Sequence, residues 1–140
     1  MPVTLSNEDL QAINLLERST GARATDVVFG EGSVIFVVAK GDLGRAIGKG
    51  GASITKLERA FDKAVEVVED DGTMQGFLAN LFRPVALSEV RESGSPERRT
   101  VTVAVNPADK GRAIGRGGER IKKARMLLKR KFGIEDVKIV

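Results

Sequence analysis

The sequence predicts an α+β protein in which one small domain occurs twice. Two observations carry that prediction. GRAIGKGG at residues 44–51 returns as GRAIGRGG at 111–118, an offset of 67 residues, and the likeness runs past the glycines: SVIFVVA at 33–39 lies over TVTVAVN at 100–106, Asp42 over Asp109, Ile54 over Ile121 and Lys56 over Lys123. Around each run the hydrophobic pattern changes between helical and strand period in the same order. A pair of long copies is a duplicated domain, because a solenoid needs three or more stacked repeats. At 140 residues the chain holds one ordinary domain or two very small ones.

In the first copy, Ser6 followed by Asp9 starts a helix in the manner of a capping box. Leu10, Ile13 and Leu16 give that helix one apolar face up to the Ser19-Thr20-Gly21 breaker. TDVVF and SVIFVVAK read as strands on either side of Gly30-Glu31-Gly32, a hairpin signal. After the glycine run, Ile54, Leu57, Phe61, Val65 and Val68 mark one face of a helix whose end runs into a short strand. In the second copy, Met74, Phe77, Leu78, Leu81 and Phe82 fall on one helical face, and Pro84 stops that helix. VALSEV and RTVTVAV form the next strand pair, across the polar loop SGSPER. A helix carrying Ile121, Ala124, Leu128 and Phe132 follows, and Gly133 closes it before a last strand, VKIV. The order helix-strand-strand-helix-helix-strand thus fills residues 1–71 and again 72–140. A linker of about three residues, Asp70-Asp71-Gly72, joins the copies tightly.

Composition excludes most chemistry. Hydrophobic residues make up 41% and charged residues 30%, the balance of a folded protein. With no Cys and no His, the chain lacks disulfides, thiolate or imidazole metal ligands and imidazole acid–base groups, so no metal site and no cofactor are expected. No apolar run approaches the roughly 20 residues that span a bilayer, and MPVTLSNEDL has no signal-peptide character. A cytoplasmic monomer away from the membrane is expected. The charge is uneven: residues 1–71 hold 8 Lys/Arg against 12 Asp/Glu, whereas residues 72–140 hold 15 against 7. The basic half points to a polyanionic partner and favours the second copy as its main site.

The glycine run can be tested against three phosphate-binding designs. A nucleotide-hydrolysing P-loop needs four residues between its first Gly and the Gly-Lys pair, followed by Ser or Thr. Three residues separate Gly44 from Gly48, and Gly50 follows Lys49. A dinucleotide fingerprint needs G-x-G-x-x-G directly after a strand of a parallel unit, and that spacing is not met. The remaining design is G-x-x-G in a turn between two helices, present as Gly48-Lys49-Gly50-Gly51 and Gly115-Arg116-Gly117-Gly118. Glycines there let a nucleic-acid backbone approach closely, while helix-opening amides and one Lys or Arg meet the phosphates.

This loop, in this order of elements and twice over, resembles the KH family of single-strand binders, in which it clamps about four nucleotides. The helix and first strand ahead of the core are similar to its type II arrangement. The resemblance implies contacts to single-stranded RNA from the eight loop residues above. It places Ile47 and Ile114 beside the loop, and Ile54 and Ile121 either under the bases or in the core. Arg45 and Arg112 would reach the phosphate backbone or pair with a nearby acid. Arg120, Lys122 and Lys123 begin a basic helix that either meets RNA or is a solvated face. The absence of Tyr and Trp removes aromatic stacking platforms, leaving bases to an aliphatic groove.

A tight pair of such modules over residues 5–140 is also similar to the short archaeal relatives of the NusA transcription factor family. That likeness implies nascent-RNA binding near RNA polymerase and a role in termination, antitermination or pausing, without catalysis. The chain has no room for the N-terminal polymerase-binding domain or the S1 domain of the bacterial pattern, which weakens the expectation of polymerase contact. A ribosome-associated or ribosome-assembly KH protein, a partner-binding scaffold and a phosphate-binding enzyme are the competing readings.

Overall fold

Each half of the chain builds six principal elements on a mixed three-stranded sheet, as seen in a computed structural model that describes residues 5–140. The first half contains α1 (Asn7–Thr20), β1 (Ala24–Phe29), β2 (Ser33–Val38), α2 (Leu43–Ile47), α3 (Ala52–Phe61) and β3 (Ala64–Glu69). The second contains α4 (Met74–Phe82), β4 (Leu87–Ser95), β5 (Arg98–Val105), α5 (Lys110–Ile114), α6 (Glu119–Phe132) and β6 (Asp136–Ile139). Contacts separate the chain into two units, one ending at Gly72 and the other running from Thr73 to Val140.

The first helix of each unit starts on a side-chain cap. The Ser6 hydroxyl accepts from the Asp9 amide while the Asp9 carboxylate accepts from the Ser6 amide, a complete capping box. The Thr73 hydroxyl accepts from the Gly76 amide at the start of α4. In the first sheet β2 lies between β1, to which it is antiparallel, and β3, to which it is parallel. The second sheet repeats this with β5 in the middle. Parallel neighbours cannot be joined by a tight hairpin, so the chain must leave the sheet and return. The crossover from β2 to β3 is α2, the glycine turn and α3, and that from β5 to β6 is α5, its glycine turn and α6.

Burial follows from the central position of β2, whose six residues are all buried. Val34, Phe36 and Val38 join Ile13, Leu16, Val27, Ala46, Leu57 and Val65 in one core. The Phe36 ring lies 5.8 Å from Phe61, and Phe61 meets Phe29 edge-on at 6.3 Å. In the second unit Phe77, Leu78, Leu81, Phe82, Val101, Val103, Leu127, Leu128 and Ile134 are buried, with Phe77 edge-on to Phe132 at 6.0 Å.

Two sequence expectations need correction. Val65 and Val68 lie on β3, not on the helix that carries Ile54, Leu57 and Phe61. Asp62 ends α3 in the left-handed conformation, with φ of 53°, and the Glu58 carboxylate then accepts from the Val65 amide to start the strand. The segment SGSPER is not a loop: β4 runs to Ser95, β5 starts at Arg98, and only Pro96 and Glu97 turn. Ser93, Gly94, Ser95 and Arg98, the strand residues of this segment, are all exposed, so no apolar alternation reveals them.

The copies also share a feature that a constant offset hides. Each first strand carries an irregularity, at Thr25 in β1 and at Ser88 in β4. There the hydroxyl donates across the sheet, Thr25 to the Val37 carbonyl at 3.3 Å and Ser88 to the Ala104 carbonyl at 3.0 Å. The two bonds span 12 and 16 residues, because the second hairpin is longer.

The left-handed Asp62 gives a stability test. Glycine takes that conformation without a Cβ penalty. Asp62→Gly should stabilise the first unit by about 0.5–1 kcal/mol, read as a higher urea midpoint.

Candidate nucleic-acid interface

Both glycine turns have the same backbone. Gly48 adopts φ 76° and ψ 168°, and Gly115 adopts 82° and 165°, a region open to glycine almost alone. Crowding adds to this restriction. A Cβ on Gly48 would lie 2.4 Å from Ser53 Oγ and 2.8 Å from the Ser53 nitrogen, and one on Gly115 would lie 2.8 Å from the nitrogen and Cβ of Arg120. The first glycine of each motif is therefore where α2 closes onto α3 and α5 onto α6. The Gly48 amide donates to the Gly44 carbonyl and Gly51 donates back to Gly48, at 2.9 and 3.1 Å; the second copy repeats these bonds at the same lengths.

The second glycine of each motif differs in kind. Gly50 (φ 63°, ψ 22°) and Gly117 (φ 63°, ψ 18°) are left-handed, yet nothing lies within 4 Å of where a Cβ would stand. They present bare backbone to open space. Lys49 and Arg116 are exposed beside them. α3 and α6 then start from left-handed glycines, Gly51 and Gly118, with no side-chain cap. Unlike α1 and α4, these two helices have no side-chain cap: the Ala52 and Glu119 amides donate to the Lys49 and Arg116 carbonyls, and the positive end of each helix faces the turn. The result is a bare glycine surface, one cation and an uncapped helix start, suited to a phosphodiester backbone.

The remaining candidates divide. Ile47 and Ile114 are half-buried at the ends of α2 and α5. Ile54 is half-buried and packs against the first core, while Ile121 is 7% exposed and belongs to the second. Arg45 sits 3.5 Å from Asp42, and Arg112 sits 3.8 Å from Asp109, with both guanidinium side chains well exposed. Asp42 also accepts from the Arg23 amide at 2.9 Å, which ties the start of α2 to the approach to β1. Surface pairs of this length are weak, on the order of 0–1 kcal/mol, so either arginine can turn to a phosphate at small cost.

On α6, Lys122 is exposed. Arg120 crosses Gly115 and donates to the Arg83 carbonyl at 3.4 Å. Lys123 departs from the expectation of an RNA contact: it is 5% exposed, with Nζ 3.6 Å from the Glu119 carboxylate one turn earlier. Its counterpart Lys56 is exposed, as is Arg59 beyond it. Neither Lys56 nor Arg59 was singled out as a site residue in the sequence. The signal was present, because Ala52, Lys56 and Arg59 fall at helical spacing on the helix that follows the turn.

Comparison with known proteins fits this geometry. The KH-domain family matches residues 13–73, and the NusA-like second KH domain matches residues 74–140. The chain is 41% identical to the "Probable transcription termination protein NusA" of Halococcus morrhuae and 39% identical to that of Halobacterium salinarum, each match covering 99% of both chains. The chain belongs to the archaeal NusA-like family. A 32% identical relative of the same name in Methanococcus vannielii is matched over 81% of its length. The crystal structure of APE1850 superposes with a TM-score of 0.86 at 36% identity, over 97% of this chain and 100% of that one. The tandem KH architecture expected from the sequence is therefore correct for this NusA-like protein. Among the described residues, no helix is long and apolar enough to cross a membrane.

The unequal glycines predict unequal mutational costs. Gly48→Ala or Gly115→Ala should destabilise its unit by on the order of 3 kcal/mol, combining backbone strain with a clash against main chain. Gly50→Ala and Gly117→Ala should cost about 1 kcal/mol. Thermal unfolding followed by circular dichroism separates the two classes.

Proposed function

We propose that this NusA-like chain binds single-stranded RNA through its two G-x-x-G turns and acts in transcription termination or antitermination, beside RNA polymerase, as a cytoplasmic monomer that catalyses no reaction. The observation that carries the RNA-binding part is the paired turn: Gly50 and Gly117 leave open space over bare backbone, and each has one exposed cation and an uncapped helix start behind it. KH modules clamp about four backbone nucleotides on this kind of loop. The names of the relatives, probable transcription termination proteins, support the transcriptional role. The aliphatic side chains next to the turns, Ile47 and Ile54 in the first unit and Ile114 in the second, are suited to holding bases without aromatic stacking.

Binding should be tested by fluorescence anisotropy with labelled single- and double-stranded RNA of equal sequence. Single-stranded RNA should bind more tightly, because a duplex keeps its bases stacked. If roughly four to six phosphates are neutralised, log affinity should fall with log salt at a slope of about −3 to −4. A flat salt response would contradict a phosphate-led site. Nucleotide hydrolysis lost on changing Lys49 or Arg116 would overturn the non-catalytic reading. Crosslinked RNA from cells dominated by ribosomal sequence would move the role from transcription to the ribosome.

A further inference from the structure

We propose that Arg83, which lies outside the G-x-x-G motif, is a phosphate-contacting residue of the second glycine turn, and that the first turn has no equivalent. The proposal rests on the RNA-binding reading above and deepens it by adding a residue to the site.

Arg83 lies in the connection between α4 and β4, 37 residues before Arg120. Arg120 stands in the first turn of α6, pressed against the second glycine turn: a Cβ on Gly115 would lie 2.8 Å from the nitrogen and Cβ of Arg120. The Arg120 guanidinium reaches from there to the Arg83 carbonyl, 3.4 Å away. The length of one arginine side chain therefore separates the α4–β4 connection from Gly115. Arg83 caps the C-terminus of α4, where carbonyl oxygens carry the negative end of the helix dipole and draw a cation. That contact employs the Arg83 carbonyl and leaves its side chain unused. The side chain is exposed and makes no hydrogen bond or ion pair among the described residues.

The first unit has nothing comparable. At the 67-residue offset Arg120 answers Ser53, whose Oγ crowds Gly48. Counted back from the irregularity in each first strand, at Thr25 and Ser88, Arg83 answers Thr20. The Thr20 hydroxyl is turned to its own helix, donating to the Leu16 carbonyl at 2.7 Å and accepting from the Ala22 amide at 3.0 Å. Neither counterpart carries charge. The second turn thus adds Arg83 and Arg120 to the Arg112 and Arg116 that match Arg45 and Lys49. A guanidinium suits phosphate because its planar fork can donate two parallel hydrogen bonds. Arg83 is placed for the phosphate adjoining the one on the turn.

The test uses the full chain and a labelled 12-nucleotide oligouridylate at 0.15 M salt. Arg83→Gln keeps the carbonyl that Arg120 uses, and an unchanged thermal unfolding midpoint checks that the fold is retained. Binding should weaken about three- to fivefold, and the slope of log affinity against log salt should become shallower by about 0.7, the loss of one phosphate contact on a single strand. Arg83→Lys keeps the charge and should recover most of the slope. With the second turn already disabled by Arg116→Asp and Gly117→Asp, adding Arg83→Gln should cost little more; with the first turn disabled by Lys49→Asp and Gly50→Asp, it should cost its full factor. Arg98→Gln controls for charge alone. Arg98 is exposed at the tip of the β4–β5 hairpin, and its neighbour Arg99 donates to the Phe132 carbonyl at 2.9 Å, at the far end of α6. That end is about 20 Å from the turn, beyond two Debye lengths, so Arg98→Gln should hardly change binding. Unchanged affinity and slope in Arg83→Gln, an equal loss from Arg98→Gln, or full additivity with the second-turn variant would overturn the proposal. Failure of the unmodified chain to bind the oligonucleotide would instead remove the RNA-binding reading beneath it.

Discussion

No side chain fits between Gly48 and the backbone of Ser53, and the rest of the first unit depends on that approach. With nothing but hydrogen on the Gly48 Cα, α2 can end and α3 begin in the space of one turn. A bulkier residue would push the two helices apart and displace Ala46 and Leu57, both buried in the core beneath them. The parallel pairing of β2 with β3 requires a crossover of this kind, and the crossover places the glycine turn in solvent. Fold and candidate site are thus one solution. The same close approach at Gly115, against Arg120, does this for the second unit.

That dependence explains why the two motifs agree in backbone to within a few degrees while their surroundings diverge. The glycine geometry is fixed by packing and cannot drift without loss of the helix pair. The helix faces behind it are exposed, and there substitution is free. Lys56 and Lys123 share a position in the repeat, yet one stands in solvent and the other is buried against an acid. Charge summed over a domain is a poor guide to such a site. A cation 3–4 Å from a carboxylate presents a dipole to a distant phosphate, and salt screens what remains.

The order of elements, the duplication and both turns were legible in the sequence because each rests on local chemistry: capping at Ser6, apolar period in α1 and α6, proline and glycine stops, and a glycine pattern that few structures require. The KH likeness followed from those same residues. The boundary of α3 was not legible, since Val65 and Val68 continue the helical spacing of Leu57 and Phe61 across a residue, Asp62, that ends the helix by adopting an uncommon conformation. The outer half of the second hairpin was hidden because its strands are held by backbone bonds and exposed polar side chains, which leave no hydrophobic signature.

The sequence by itself determined that two small α+β modules would form and that each would carry a glycine turn with one cation, because propensity, capping and glycine's freedom act within a few residues. Only the tertiary structure decided which of those glycines are crowded and which are open, and which basic side chains remain available. Those properties depend on what the fold brings alongside from elsewhere in the chain, and on whether a neighbouring acid lies within reach. Gly48 and Gly50 stand two residues apart in one motif, but one is pressed against Ser53 and the other faces solvent.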